Sequence, residues 1–468
     1  MSFSRPATGS VLDLIGHTPI VELHGFDTGC CRLFVKLESQ NPGGSIKDRI
    51  GRSMIEAAER SGKLRPGSTL IEATAGNTGL GLALVAAQKG YRLLLVMPDK
   101  MSQEKVLHLR AMGAEVVWTR SDVGAGHPEY YQDLARRIAD ETPNSFFVDQ
   151  FNNPANPLAH ETTTGPEIWE QMSGDVDAVV CGVGSGGTIT GLSRYFERVA
   201  PHLELVLADP KGSILAEYIR TGVVGEAGSW LVEGIGEDFL PAVADFSRVR
   251  TAYTITDEES FATVQKLLET NGLLAGSSSG TLIAAALRYC RDQTEPKRVV
   301  TFVCDSGNKY LSRAFNPHWL TDIGLIGKPE YNDLRDFVSR RFDQREVTFV
   351  SPDDTVARAA TLLRTYDISQ LPVMDGETIV GLVDESDLLL AAAGEPGGFG
   401  ASVRDVMSSN LLVLSPDDRF DALVRVLQSG MVAILCDGPR FIGLITRIDL
   451  LNHYRRQQRR PAGEETKG

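Results

Sequence analysis

The stretch from Val176 to Val199, "VDAVVCGVGSGGTITGLSRYFERV", joins a nearly unbroken apolar run to a loop of glycines and then to a helical segment. An apolar run without polar alternation suits a strand covered on both faces, as in a parallel sheet. Glycines at 182, 184, 186 and 187 let backbone N–H groups come close to an anion, and Thr188 opens the helix behind them. A loop of this kind at a helix N-terminus is a phosphate cradle, because unpaired N–H groups and the helix dipole both favour negative charge. Gly182, Gly184 and Gly187 also fit the dinucleotide-binding spacing, with Asp209 about 22 residues beyond the last of them. This loop alone therefore leaves a nicotinamide enzyme open.

The same alternation extends outward in both directions. "RLLLVMP" (92–98), "AEVVWT" (114–119), "LELVLADP" (203–210) and "KRVVTFVCD" (297–305) read as buried strands. "TGLGLALVAAQKG" (78–90), "SQEKVLHLRAMG" (102–113) and "EESFATVQKLLETNG" (258–272) read as the helices between them. The pattern predicts an α/β fold of mostly parallel, twisted sheets with helices on both faces. A charged stretch at 327–346 lacks a strand signal and reads as a connector, with Leu334, Phe337, Val338 and Phe342 on one helical face.

Beyond the connector lies an internal repeat. Residues 347–391 and 411–454 each carry "SPDD", at Ser351 and Ser415, then a helix, a strand, a turn, a Gly-led strand and an Asp-Leu helix start. The acidic pair suits a helix N-terminus. Neither copy is long enough to bury much core alone, so the two are expected to pack as one unit.

Composition sets the outer limits. The 468 residues suggest roughly three domains. The chain is 42% hydrophobic and carries a net charge of −14, from 47 basic and 61 acidic residues. That acidity argues against nucleic-acid binding, and the basic "HYRRQQRR" near the C-terminus reads as a solvated tail. No apolar run approaches the ~20 residues that span a bilayer, and the N-terminus has no secretory pattern, so a cytoplasmic protein without membrane contact is expected. The six cysteines form no CxxC pair or zinc spacing and read as reduced thiols, with no metal site.

Three further motifs carry chemistry. "NPGGSIKDRIGR" (41–52) places Lys47 in the first turn of a helix behind two glycines. "EATAGNTGLGLA" (72–83) leads a polar turn into a helix, an arrangement suited to a carboxylate. "CDSGNKY" (304–310) ends a strand with Ser306, which either caps the next turn or presents its hydroxyl at the strand carboxyl ends.

Taken together, "NPGGSIKDR", "TAGNTG", "DQFNNPANPLAHETTTGPEIW", "GVGSGGTITG" and "CDSGNKY", in this order, resemble the fold type II pyridoxal-phosphate enzymes, the family of cysteine synthases and cystathionine β-synthases. The resemblance spans residues 8 to 320. It implies that Lys47 forms the Schiff base with pyridoxal phosphate and serves as catalytic base, which requires a pocket that lowers its pKa. It implies that Asn77 contacts the ring hydroxyl, that Gly184, Ser185, Gly186, Gly187 and Thr188 cradle the phosphate, and that Ser306 faces the ring nitrogen. Thr74, Ala75, Gly76, Thr78 and Gln150 match the surroundings of the substrate carboxylate. Glu233, in "VEGIGEDFLP" (232–241), either assists proton transfer or is structural. The repeat resembles tandem CBS domains.

The resemblance therefore implies a catalytic domain over 1–325, a linker over 326–345, and CBS domains over 346–396 and 403–458. It implies a homodimer or higher homo-oligomer acting on small amino-acid substrates. "DPKGSILAEY" (209–218), "VEGIGEDFLP" and the CBS pair favour condensation of serine with homocysteine; "NPANPLAHETTTGPEIW" is equally similar to cysteine synthases, which use O-acetylserine and sulfide. A non-catalytic ligand-sensing protein is the reading from another class, and the intact Lys47, Asn77, Thr188 and Ser306 argue against it. Two positions depart from the family pattern: Ala75 replaces a serine, and Phe151 stands in place of a tyrosine. The chain starts almost directly with the catalytic part, so haem is not expected. An adenosine-type ligand at the CBS pair would use Thr446 and Asp449 in "GLITRID" and Asp387 in "GLVDESD", where Asp384 replaces the hydroxyl residue.

Overall fold

A computed structural model describes residues 8–459 apart from 75, 100, 102, 125 and 395–397. The chain forms two compact units that divide between Phe315 and Asn316.

The first unit is built on two sheets. Its strands are β1 (Ile20–Glu22), β2 (Arg32–Leu37), β3 (Thr69–Ala73), β4 (Arg92–Pro98), β5 (Glu115–Thr119), β6 (Ser145–Phe147), β7 (Ala178–Gly182), β8 (Glu204–Pro210), β9 (Val249–Ile255) and β10 (Arg298–Val303). One sheet runs β1-β2-β10-β7-β8-β9 and the other β5-β4-β3-β6. Every pairing is parallel except β1 with β2. All of β3 and all of β8 after Glu204 are buried, as a sheet covered on both faces requires. The five expected strands form within a few residues of the expected bounds. β1, β2, β3, β6 and β9 are additions, being short or interrupted by charged residues such as Lys36 and Glu72.

In parallel sheets a ligand site opens at the carboxyl ends of the strands. Here β2 feeds helix α1 (Lys47–Arg60), and β3 feeds helix α2 (Asn77–Lys89). The two helices come from different sheets and touch backbone to backbone. A Cβ on Gly81 would lie 2.6 Å from the Lys47 carbonyl oxygen, and a Cβ on Gly51 would lie 2.7 Å from the Gly81 carbonyl carbon.

Beside this contact, α1 is held by a buried ion cluster. Arg49 donates to both oxygens of Glu38, at 2.8 Å each, and to both oxygens of Glu167, at 2.7 and 2.8 Å. Lys36 adds a second cation 2.8 Å from Glu167. Two cations thus face two anions, and no charge in the group is left uncompensated. Burial alone would raise the Glu167 carboxyl, but Arg49 and Lys36 bring it down to about 2.

The second unit confirms the internal repeat. The first copy pairs Gln370–Asp375 with Thr378–Asp384, and the second pairs Ala433–Asp437 with Arg440–Ile445. Both hairpins carry a register shift at the equivalent place, Val373/Met374 and Leu435/Cys436. Met374 and Ile379 of one copy share a core with Ile434, Cys436 and Phe441 of the other, so the copies do pack as one unit.

Two local expectations are corrected. The SPDD segments do not begin the helices. Asp354 and Asp418 accept the N–H of Ser351 and Ser415, closing a turn, and Thr355 caps the helix Val356–Tyr366 instead. The 327–346 stretch forms only a 3-10 turn, Leu334–Phe337, in place of a helix with one apolar face. Its apolar residues go to different places: Leu334 and Val338 enter the core of the second copy, and Phe342 packs against the shared core.

The α1–α2 contact makes a test of the fold. Gly81→Ala is expected to destabilise the first unit by about 1–3 kcal/mol, the overpacking cost exceeding the helix-propensity gain. Denaturant unfolding followed by circular dichroism measures this, and an unchanged midpoint would show that the two helices have room to spare.

Candidate active site

The carboxyl ends of β2, β3, β7 and β10 converge on one cavity of about 380 Å³. Among the predicted site residues, Lys47, Thr74, Gly76, Asn77, Thr78, Gln150, Gly184, Ser185, Gly186, Thr188 and Glu233 line it. Ala75 lies outside the described residues.

Lys47 is the first residue of α1, where its backbone N–H donates to Ser45 Oγ at 3.2 Å. Its side chain reaches the cavity half-buried. Burial of the amine lowers its pKa, opposed by the acidic neighbours Cys304, Glu237 and Asp305. A lysine in that state is more often neutral and able to attack a carbonyl or accept a proton. Cys304, beside it, is no competing nucleophile, since burial pushes its thiol up to about 12.

The polar turn before α2 is held by its own side chains. Gly76 N–H donates to Thr74 Oγ1 at 3.1 Å, and Thr78 Oγ1 donates to Gln150 Oε1 at 2.7 Å. Gly76 has φ +140°, and a Cβ there would lie 2.6 Å from Lys105 Cδ, so only glycine fits. Asn77 Nδ2 donates to Asp305 Oδ2 at 2.8 Å, and Asn77 Oδ1 accepts from Lys309 Nζ at 3.0 Å.

The glycine loop closes the opposite side. Gly186 sits at φ +86° immediately before the helix Gly187–Val199, which directs its free N–H groups at the cavity. A Cβ on Gly184 would lie 2.7 Å from the Gly234 carbonyl oxygen. Gly187 lies behind the lining, where a Cβ would collide with the Asn156 amide at 1.8 Å. Asn156 Nδ2 donates to Ser185 Oγ at 2.9 Å, and His160 bridges Thr164 and Thr188 at 2.9 and 3.3 Å.

Two predicted residues are placed less directly. Ser306 is absent from the lining described, and its hydroxyl accepts the Asn308 N–H at 3.3 Å, capping a short 3-10 turn. Glu233 is clamped between two cations, Lys105 at 2.6 Å and Arg313 at 2.9 Å. Sequence reasoning missed Lys105, Asn156, His160, Lys309 and Arg313. Asn156, His160 and Lys309 stand inside quoted motifs, but nothing in their spacing shows what they touch.

The expected ligand residues of the second unit cap helix starts. Asp449 Oδ2 accepts both the N–H and the hydroxyl of Thr446, at 2.7 and 2.5 Å. Asp387 Oδ2 accepts the Asp384 N–H at 3.0 Å, and Asp384 Oδ1 accepts from Ser386 and Asp387. Among the described residues no helix is long and apolar enough to cross a membrane, and no group of acidic, His or Cys side chains could hold a metal ion.

The donor set fits pyridoxal phosphate. The loop at Gly184–Thr188 suits a phosphate dianion, the Lys47 amine suits an aldehyde, and the cavity has the size of a cofactor site.

The cradle also implies a pH dependence. Burial, and then the charges of Lys47 and Arg49, lower His160 to about 3. His160 is therefore neutral in the fold but binds a proton below about 6.5 when unfolded, so stability is complete above that pH and falls steadily from there toward pH 3. Unfolding free energies of wild type and His160→Gln across this window measure the effect. The wild-type slope should be the steeper, and equal slopes would remove His160 from the account.

Comparison with known proteins agrees with this geometry. The family model for "Pyridoxal-phosphate dependent enzyme" matches residues 11–305, and the CBS domain model matches 338–394 and 403–456. A cystathionine beta-synthase of Dictyostelium discoideum is 36% identical over 466 residues, covering 96% of this chain and 93% of that protein. Cysteine synthase A of Escherichia coli is 43% identical over 314 residues, covering 66% of this chain and 96% of that protein. The crystal structure of an O-acetylserine dependent cystathionine beta-synthase from Helicobacter pylori superposes with a TM-score of 0.61 at 36% identity, covering 66% of this chain and 99% of that one. A cavity whose lysine amine and glycine loop fit pyridoxal phosphate, on a chain whose likeness to the Dictyostelium protein runs through both of its units, places this protein in the pyridoxal-phosphate-dependent enzyme family, among the cystathionine β-synthases with a tandem CBS module.

Proposed function

We propose that this chain replaces the β-hydroxyl of serine with the thiol of homocysteine, giving cystathionine and water. The observation that carries the choice of thiol is the extent of likeness. The Dictyostelium cystathionine beta-synthase matches through both units, whereas cysteine synthase A matches only two thirds of the chain. A second reading, O-acetylserine with sulfide or another thiol, is favoured by the 43% identity of cysteine synthase A over 314 residues and by the likeness to the O-acetylserine dependent enzyme of Helicobacter pylori.

Bound pyridoxal phosphate supplies an aldehyde for the substrate amine and an electron sink that acidifies the α-carbon. Lys47 Nζ, its pKa lowered, removes the α-proton and later returns it. Thr74, Gly76, Thr78 and Gln150, with Ala75 between them, receive the substrate carboxylate at the N-terminus of α2. Gly184–Thr188 hold the phosphate, Asn77 the ring hydroxyl, and Ser306 the ring nitrogen. A neutral serine there would leave the nitrogen unprotonated, which favours elimination over transamination. Glu233 acts as the shared acceptor of Lys105 and Arg313, since both its oxygens are engaged by cations and neither is placed as a free base. The CBS pair takes an adenosine-type ligand at Thr446, Asp449 and Asp387, and the protein works as a cytoplasmic homo-oligomer.

Purified protein supplied with pyridoxal phosphate should show a visible cofactor band, lost together with activity in Lys47→Ala. Retention of both in that variant would refute the role of Lys47. Serine with homocysteine should yield cystathionine, and product only from O-acetylserine with sulfide would decide for the second reading. Titration calorimetry with S-adenosylmethionine and with adenosine nucleotides should give heat in the wild type that is lost in Asp449→Ala. Silence with every adenosine compound would make the repeat a purely structural module.

A further inference from the structure

Lys309 is buried, 6% exposed, and lies on the short turn after β10. An ammonium has three donors and no acceptor. All three find partners here: the carbonyls of Gly43 and Gly44 at 3.3 and 3.1 Å, and Asn77 Oδ1 at 3.0 Å. One side chain thus ties the glycine turn that leads to Lys47 to the first residue of α2.

The contact with Asn77 has a chemical consequence. A side-chain amide is nearly symmetric in shape, so its oxygen and nitrogen exchange places by a simple flip unless hydrogen bonds choose between them. Here both ends are chosen. Lys309 can only donate, and it holds Oδ1; the carboxylate of Asp305 can only accept, and it holds Nδ2 at 2.8 Å. Asp305 is itself oriented by the Tyr310 hydroxyl at 2.7 Å. A flip would set oxygen against carboxylate and N–H against ammonium, turning two good contacts into two repulsive ones.

We propose that Lys309 is a positioning residue that locks the Asn77 amide with its nitrogen as the donor edge, and thereby holds the cofactor's ring hydroxyl in its ionised form. The inference rests on the reading of Asn77 as the partner of that hydroxyl. A donor stabilises the ionised oxygen, and the flipped amide, offering an acceptor, would stabilise the neutral one. The two forms absorb differently, the ionised at longer wavelength, so the lock has a readout that a merely structural lysine would not move.

The experiment records the cofactor spectrum at saturating pyridoxal phosphate and fixed pH. Lys309→Met should lower the ratio of the long- to the short-wavelength band by about fivefold, the worth of roughly one hydrogen bond's net preference. Lys309→Arg, which still only donates, should restore most of it. In an Asn77→Ala background Lys309→Met should change nothing further, because the lock acts through Asn77. An unchanged ratio in Lys309→Met overturns the proposal. So does an equal fall in the Asn77→Ala background, which would mean that the lysine's charge acts directly. If Lys309→Met does not fold, Lys309→Gln takes its place: glutamine offers donor and acceptor alike, no longer selects the flip, and should give the same fall, an unchanged ratio again overturning the lock. A wild-type protein with no cofactor band would instead defeat the reading of the site, and this inference with it.

Discussion

The contact between Gly51 and Gly81 governs the geometry of the whole catalytic unit. Parallel sheets place their functional groups at strand ends, but the two sheets here are separate, and each brings only part of the site. Lys47 arrives on α1 after β2, and Asn77 arrives on α2 after β3. Both stand at the start of their helices, so the distance between the helix axes sets the distance between their side chains. Two glycines reduce that distance to backbone contact. Any side chain there would push the amine and the amide apart, and the cavity between them would no longer match one small ring.

The polar interior serves the same end. Arg49, two residues after Lys47, is the centre of a balanced cluster with Glu38, Glu167 and Lys36 that fixes the first turn of α1. Removing one member of a buried cluster of this kind leaves a charge uncompensated, which is why such groups act as a unit. On the far side of the cavity Asn156 and His160 do for Ser185 and Thr188 what Arg49 does for Lys47. Lys309 joins the glycine turn before α1 to the start of α2. Ser185, Thr188 and Asn77 are thus held by buried residues behind them, and preorganisation of this kind lets binding energy go to the reacting atoms.

The second unit obeys a simpler rule. Each copy has too little core to stand alone, and the shared cluster of Met374, Ile379, Ile434, Cys436 and Phe441 supplies what each lacks. The Asp residues expected at an adenosine-type ligand, Asp387 and Asp449, accept the free N–H groups of Asp384 and Thr446 at their own helix starts. A ligand at these positions would have to use oxygens that the fold already employs as caps.

Local order was legible in the sequence because it is written in periods and spacings. Long apolar runs such as 92–98 and 203–210 are strands in any context that buries both faces, and the glycine loop before Thr188 announces an anion site without saying which ligand carries the charge. The repeat was legible for the same reason, since two copies of one pattern identify each other. The charged connector misled because the 3.6-residue spacing of Leu334, Phe337, Val338 and Phe342 imitates a helix, while the cores they fill lie in different places. Residue types and spacings were enough to show which chemical groups are present: an amine behind two glycines, a glycine loop before a helix, and a polar turn before another. Tertiary structure alone decided their state, because burial and close approach are properties of residues distant in the chain. The lowered pKa of Lys47, the clamped carboxylate of Glu233 and the fixed orientation of Asn77 each depend on partners that no local pattern brings together.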